Sequence, residues 1–177
     1  MKRHPIQLYG APVLEKPAAP VGVFGTPELV ELIGDMFETM YASKGVGLAA
    51  PQIGISKRIA VIDVSRLDPP DPNQQLVLIN PVIIHVDPSM HYEDEGCLSL
   101  PGFFSAVGRP SIVTIRAQNW QGEATEATGS GLLARAIQHE IDHLDGKLFI
   151  EHVSSLRRET IRSKIRRRRK LGMWTAA

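Results

Sequence analysis

The chain has 177 residues, 43% apolar and 22% charged, with a net charge of +1. This is the composition of an ordinary globular protein; it excludes a disordered or fibrous chain, and the length predicts one domain over residues 1–177. No apolar run reaches the ~18 residues that cross a bilayer, and the basic start "MKRHPIQLYGAP" lacks the apolar stretch of a secretory signal, so no membrane partner and a cytoplasmic location are expected.

The first predicted element is a helix over residues 26–45, "TPELVELIGDMFETMYASKG". Thr26 is placed to cap it, Pro27 suits its first turn and Gly45 its end. Leu29, Leu32, Ile33, Met36, Phe37 and Met40 then share one face. "RIAVIDV" (residues 58–64) reads as a strand, and the proline-rich "DPPDPNQQ" (residues 68–75) as a loop. "LVLINPVIIHV" (residues 76–86) reads as a strand interrupted at Pro81, which cannot donate a ladder hydrogen bond. "SIVTIRAQNW" (residues 111–120) alternates and ends at a Gln121–Gly122 turn, with a short strand expected at residues 123–128. Helices are expected at residues 131–145 and 154–169. The pattern predicts a mixed α+β fold: mainly antiparallel sheets around a central helix, an N-terminal helix, and a basic C-terminal helix or tail over residues 157–177.

The central helix carries "AIQHEIDHLDGKLF". His139 and His143, at i and i+4, point to one face and can share a metal ion. Glu140, about 100° round the helix from His139, can reach a water on that ion without ligating it. This is the H-E-x-x-H arrangement of two ligands and a general base. A plain amphipathic helix is the alternative, but histidines beside an apolar face need partners.

A catalytic metal usually keeps three protein ligands and one open position. Phe149 stands where one class of metalloproteases has a third histidine, and Glu151 and Glu159 have little chain after them. Cys97, in "YEDEGCLSLPG" (residues 92–102), offers a thiolate and would complete a His₂Cys site. It is the only cysteine, which excludes an intrachain disulfide and fits a reducing compartment. A third stretch, "SKGVGLAAPQIGIS" (residues 43–56), permits close backbone approach through Gly45 and Gly47. Its Gln52 offers a neutral amide donor for an oxyanion.

Together, "GVGLAAPQIG", "EGCLSL" and "QHEIDHL" resemble the three signature motifs of bacterial and organellar peptide deformylases, in the family's order and approximate spacing, over residues 8–149. That family removes the N-formyl group from the initiator methionine of new polypeptides. The resemblance implies Cys97, His139 and His143 as metal ligands and Glu140 as the general base. Gln52 and the Leu98 N–H would stabilise the oxyanion. Val46, Gly47 and Gly96 would bind substrate backbone as an added strand, and Glu95, Leu132, Ala136 and His139 would surround the methionine side chain. Arg109 is expected to touch substrate backbone. The implied ion is Fe²⁺, with Zn²⁺, Ni²⁺ or Co²⁺ able to substitute.

Residues 157–170 hold nine basic side chains against Glu159, leaving the remainder of the chain at about −7. The plain reading is a solvated helix face; the functional one is attachment to the ribosome through rRNA phosphates, near emerging formylmethionyl chains. Two competing functions remain open at this point. One is a zinc endopeptidase on the same helix, with no need of Cys97. The other is a nucleic-acid-binding module with a structural zinc.

Overall fold

A computed structural model describes residues 1–65 and 75–176. All but Gln75 of the proline-rich loop expected at residues 68–75 lies outside the described residues. Three helices, α1 (Pro27–Ala42), α2 (Gly131–Leu144) and α3 (Ser155–Lys170), accompany seven strands. The strands are β1 (Gly47–Ala49), β2 (Ile59–Ile62), β3 (Leu76–Val86), β4 (Met90–Gly96), β5 (Phe104–Pro110), β6 (Ile112–Gln118) and β7 (Ala124–Ser130). Five form an antiparallel sheet in the order β1-β2-β3-β6-β7, and β4 pairs with β5 in a separate antiparallel hairpin. The α+β class expected from the sequence is the observed one.

The sheet has a helix on each face, which explains the unbroken apolar character of β2. Ile59 and Val61 point to α1 and pack with Ile33, Met36, Phe37 and Met40. Ala60 and Ile62, one step out of phase, meet Ala134, Ile137, Ile141 and Leu144 of α2. α2 is therefore wedged against the sheet along its whole length.

α1 begins where its cap predicts: Thr26 Oγ1 accepts the Leu29 N–H at 3.2 Å. It ends in paired Schellman bonds, Gly45 N–H to the Met40 carbonyl and Lys44 N–H to that of Tyr41, each 2.9 Å. Lys44 takes the left-handed position of that motif, at φ 57°, at a cost of ~1–2 kcal/mol relative to glycine. β3 is not interrupted at Pro81 as expected; it continues through a register shift between Ile79 and Val82. Asn80, at φ 51°, bridges the irregularity by bonding the Val21 N–H and carbonyl and the Gln118 side chain.

α3 is more than a solvated tail. Ile161 and Ile165 enter a third cluster with Leu100, Phe103, Val107, Leu148, Phe149 and Ile150, against which Cys97 packs. Arg157 donates to the Phe104 carbonyl at 2.7 Å and Arg168 to that of Pro101 at 3.0 Å, with the Arg168 guanidinium 4.5 Å above the Phe103 ring. Among the described residues no helix is long and apolar enough to cross a membrane.

Ile161 is sealed in the cluster behind Cys97, so Ile161→Ala should lower the unfolding free energy by ~2–4 kcal/mol in urea titrations. A loss under ~1 kcal/mol would show that α3 packs only loosely on the body.

Candidate metal centre

Two elements bring the donors together. α2 presents His139 and His143 one turn apart, with ring centroids 4.9 Å from each other. Cys97 follows directly on β4, and its Sγ lies 3.2 Å from His143 Nε2. The donor atoms of Cys97, His139 and His143 all lie within 4.8 Å of one another. An ion ~2.0–2.3 Å from each donor needs them ~3–4 Å apart, a spacing the Cys97–His143 pair meets at 3.2 Å. Burial would raise the Cys97 thiol, but the His143 and His139 rings outweigh it and bring it down to about 5. This favours the thiolate, the form in which sulfur ligates a metal. His143 Nδ1 is buried without a hydrogen-bond partner among the described residues.

The His139 ring is aimed by Glu95, whose Oε2 accepts from Nδ1 at 3.0 Å and leaves Nε2 to face the sulfur. Glu95 is buried and accepts three further hydrogen bonds. Arg109 grips it through Nε and Nη2 at 2.8 and 3.0 Å, and Arg135 through Nη1 at 2.7 Å. Burial alone would raise the Glu95 carboxyl; His139 and Arg109 hold it well below the usual carboxylate range.

Glu140 is equally buried but unpaired: its Oε2 has no partner among the described residues. Burial pushes its carboxyl up to about 7, against the opposing pull of His139 and His143. That places the group where it can both take and give a proton near neutrality. A Cβ at Gly47 would overlap the Glu140 carboxylate, so only glycine leaves room for it there. Gln52 is sealed in the core with its Oε1 taking the Ala49 N–H at 2.8 Å. This turns its Nε2 towards Cys97 Sγ and Ser99 Oγ, at 3.5 and 3.4 Å.

These groups line one cleft of about 440 Å³. Of the residues singled out in the sequence, Val46, Gly47, Gln52, Glu95, Gly96, Cys97, Leu98, Leu132, Ala136, His139 and Glu140 border it. His143 lies beneath it, buried. Arg109 does not border it. The guanidinium expected to touch substrate backbone is buried behind the cleft, committed to Glu95 and, at 2.6 Å, to Asp142. Three of its five N–H donors are held by these two carboxylates, and neither partner is near it in sequence.

The reading of the sequence passed over Arg135, which borders the cleft and ties Glu95 to the Val107 and His91 carbonyls. It also passed over the exposed residues at the mouth, Lys44, Asp94 and Phe104. Phe149, in the position where a metalloprotease would carry a third histidine, is buried and stacks on the His139 ring, centroids 6.4 Å apart. Glu159 is paired with Arg166 on α3.

The profile of the polypeptide deformylase family matches residues 3–159 of this chain. The peptide deformylase of Acidobacterium capsulatum is 53% identical over 174 residues, covering 98% of this chain and 100% of that protein. A crystal structure of a peptide deformylase from Legionella pneumophila superposes with a TM-score of 0.86 at 43% identity, covering 96% of this chain and 97% of that one. A class I type b peptide deformylase from Acinetobacter baumannii, crystallised with Met-Ala-Ser bound, superposes with a TM-score of 0.78 at 36% identity, over 85% of this chain and 98% of that one.

If Cys97, His139 and His143 hold one ion together, Cys97→Ala should retain less than about a tenth of the bound metal after dialysis, as read by elemental analysis. Full retention by that variant would separate the sulfur from the centre.

Proposed function

The chain belongs to the polypeptide deformylase family, and we propose that it hydrolyses the N-terminal formyl group of formylmethionyl nascent peptides in this cleft, releasing formate. The observation that carries the reading is the convergence on one cleft of a thiolate, two imidazoles, an unpaired buried carboxylate and an oriented neutral amide.

Cys97, His139 and His143 would hold one divalent ion, Fe²⁺ in the cell, with Zn²⁺, Ni²⁺ or Co²⁺ accepted by the same His₂Cys donors. When bound, such an ion supplies Lewis acidity, polarising the formyl carbonyl and lowering the pKa of water towards ~7. The chain's own groups do the rest. Val46, Gly47 and Gly96 offer backbone to the peptide as to an added strand. Leu132, Ala136, His139 and Glu95 flank the methionine side chain. Glu140 takes a proton from the attacking water as the new C–O bond forms at the formyl carbon. Gln52 Nε2 and the Leu98 N–H, which has no acceptor among the described residues, donate to the oxygen as it gains charge. Glu140 then passes its proton to the departing amine, the C–N bond breaks, and formate and a free N-terminus result.

The endopeptidase reading finds no support: Phe149 cannot ligate, Glu159 is engaged elsewhere, and Cys97 stands at the centre. A closed structural zinc would require a fourth ligand, and three gather among the described residues.

Association with the ribosome, in the cytoplasm where nascent chains emerge, goes with this reading. Lys164, Arg167 and Lys170 suit it. They are exposed on α3 and free of acceptors among the described residues, unlike Arg157, Arg158, Arg162, Arg166, Arg168 and Arg169.

Three experiments test these assignments. The metal-loaded protein should release formate from formyl-Met-Ala-Ser and leave Met-Ala-Ser intact. Glu140→Ala should keep its metal and lose at least ~10²–10⁴ of kcat; near-normal turnover would remove Glu140 from the reaction. Reversing the charge of Lys164, Arg167 and Lys170 together should abolish co-sedimentation with ribosomes at low salt, and unchanged binding would show that α3 is not the contact.

A further inference from the structure

Lys44 stands at the mouth of the cleft, and its placement is costly. It occupies the left-handed position just past the α1 cap, at φ 57°, where glycine fits without strain. Strain kept at the lip of a site is a reason to ask what the side chain does there. Lys44 is exposed and borders the cleft, and its ammonium has no hydrogen-bond or ion-pair partner among the described residues. The other cation bordering the cleft, Arg135, is buried and committed to Glu95 and two carbonyls. Among the described residues of the cleft, Lys44 is therefore the cation whose charge is available to a ligand.

The direction of the chain fixes what that ligand is. Gly47 lies against the Glu140 carboxylate, at the reacting end. Gly47, Val46, Gly45 and Lys44 all border the same cleft, the first three half-buried and Lys44 exposed. A peptide laid on this edge with its formyl group beside Glu140 advances ~3.3 Å per residue. Its second and third residues then draw level with Lys44. We propose that Lys44 is a specificity-determining residue that favours nascent chains carrying aspartate or glutamate at the second or third position. This rests on the deformylase reading and adds substrate selection to it. Asp94, exposed on β4 and also bordering the cleft, brings the opposite sign to it. The signature of Lys44 is therefore the change in the acidic-to-basic ratio when it is replaced, rather than the absolute preference of the wild type.

The test compares kcat/KM for formyl-Met-Asp-Ala, formyl-Met-Lys-Ala, formyl-Met-Ala-Asp and formyl-Met-Ala-Lys. All four are amidated so that no terminal carboxylate competes for the lysine. In Lys44→Gly the acidic-to-basic ratio should fall by about two- to five-fold at one or both positions at low ionic strength, and further in Lys44→Glu. Lys44→Arg should preserve the ratio, and the effect should shrink at ~0.5 M salt. Lys44→Gly relieves the backbone strain and should melt above the wild type, which separates lost selectivity from misfolding. Ratios within about 1.5-fold of wild type in both Lys44→Gly and Lys44→Glu would overturn the proposal. Absence of formate from all four peptides with the metal-loaded wild type would instead overturn the deformylase reading, and this proposal with it.

Discussion

A carboxylate shut away from water must be neutralised where it stands, and Glu95 is neutralised from three directions. Arg109 reaches it along the β4–β5 hairpin, while Arg135 and His139 reach it from α2. The single side chain thus fastens the central helix to the hairpin whose first strand ends immediately before Cys97. Because Glu95 also accepts from His139 Nδ1, the same contact decides which ring nitrogen faces the sulfur. Removing one member of such a buried set leaves an uncompensated charge, a loss of ~3–5 kcal/mol. The centre's geometry and the docking of α2 therefore share one electrostatic cause. Asp142 extends the set outward, accepting from Arg109 and, at 2.7 Å, bonding His152.

How far the sequence could disclose this depended on whether a signal was local. α1 was legible because its cap, its proline and its apolar face are all contained in the segment itself. α2 was legible because two histidines four apart share a face on any helix. β2 showed as an apolar run because both faces of the sheet are covered. The β4–β5 hairpin gave no such sign. "MHYEDEG" and "FSAVGRP" lack apolar alternation, since the hairpin meets α2 through Glu95, Arg109 and Arg135 instead of through aliphatic packing. Arg109 was misplaced for the same reason: Glu95 and Asp142 lie 14 and 33 residues from it, a separation no local pattern reveals. A break in β3 was expected at Pro81; the strand instead runs on through a register shift whose repair depends on Asn80 meeting Val21, 59 residues away.

α3 shows how composition can mislead. Its charge suggests a free tail, yet two isoleucines four apart are enough to anchor it, and most of its arginines serve the protein's own backbone. Arg157 and Arg168 close on the Phe104 and Pro101 carbonyls, and Arg162 and Arg169 on Tyr9. The Tyr9 N–H in turn bonds the Ser99 carbonyl at 2.8 Å. The turn between Cys97 and β5, which hydrogen-bonded ladders cannot stabilise, is thereby held by guanidinium donors. Planar, multiply donating guanidinium groups suit that task better than ammonium groups would. The cations left over for an outside partner are a minority of the helix's charge and include both of its lysines.

The local rules that the rest of the fold obeys are broken mostly around the cleft. Lys44 takes a glycine's conformation. Gly47 forgoes a side chain so that Glu140 can stand beside it. Among the described residues, Glu140 is buried without a partner for Oε2, and His143 without one for Nδ1. The exceptions are Asn80, left-handed at φ 51° in β3, and the indole N–H of Trp174, unpaired among the described residues near Phe103 and away from the donors. Each of the others works against stability, and a fold selected for stability alone would bury leucine where it buries Glu140. A chain that tolerates four such concessions within one cleft, while α1, α2 and the sheet pack by ordinary rules, has its structure set by what that cleft must hold and turn over.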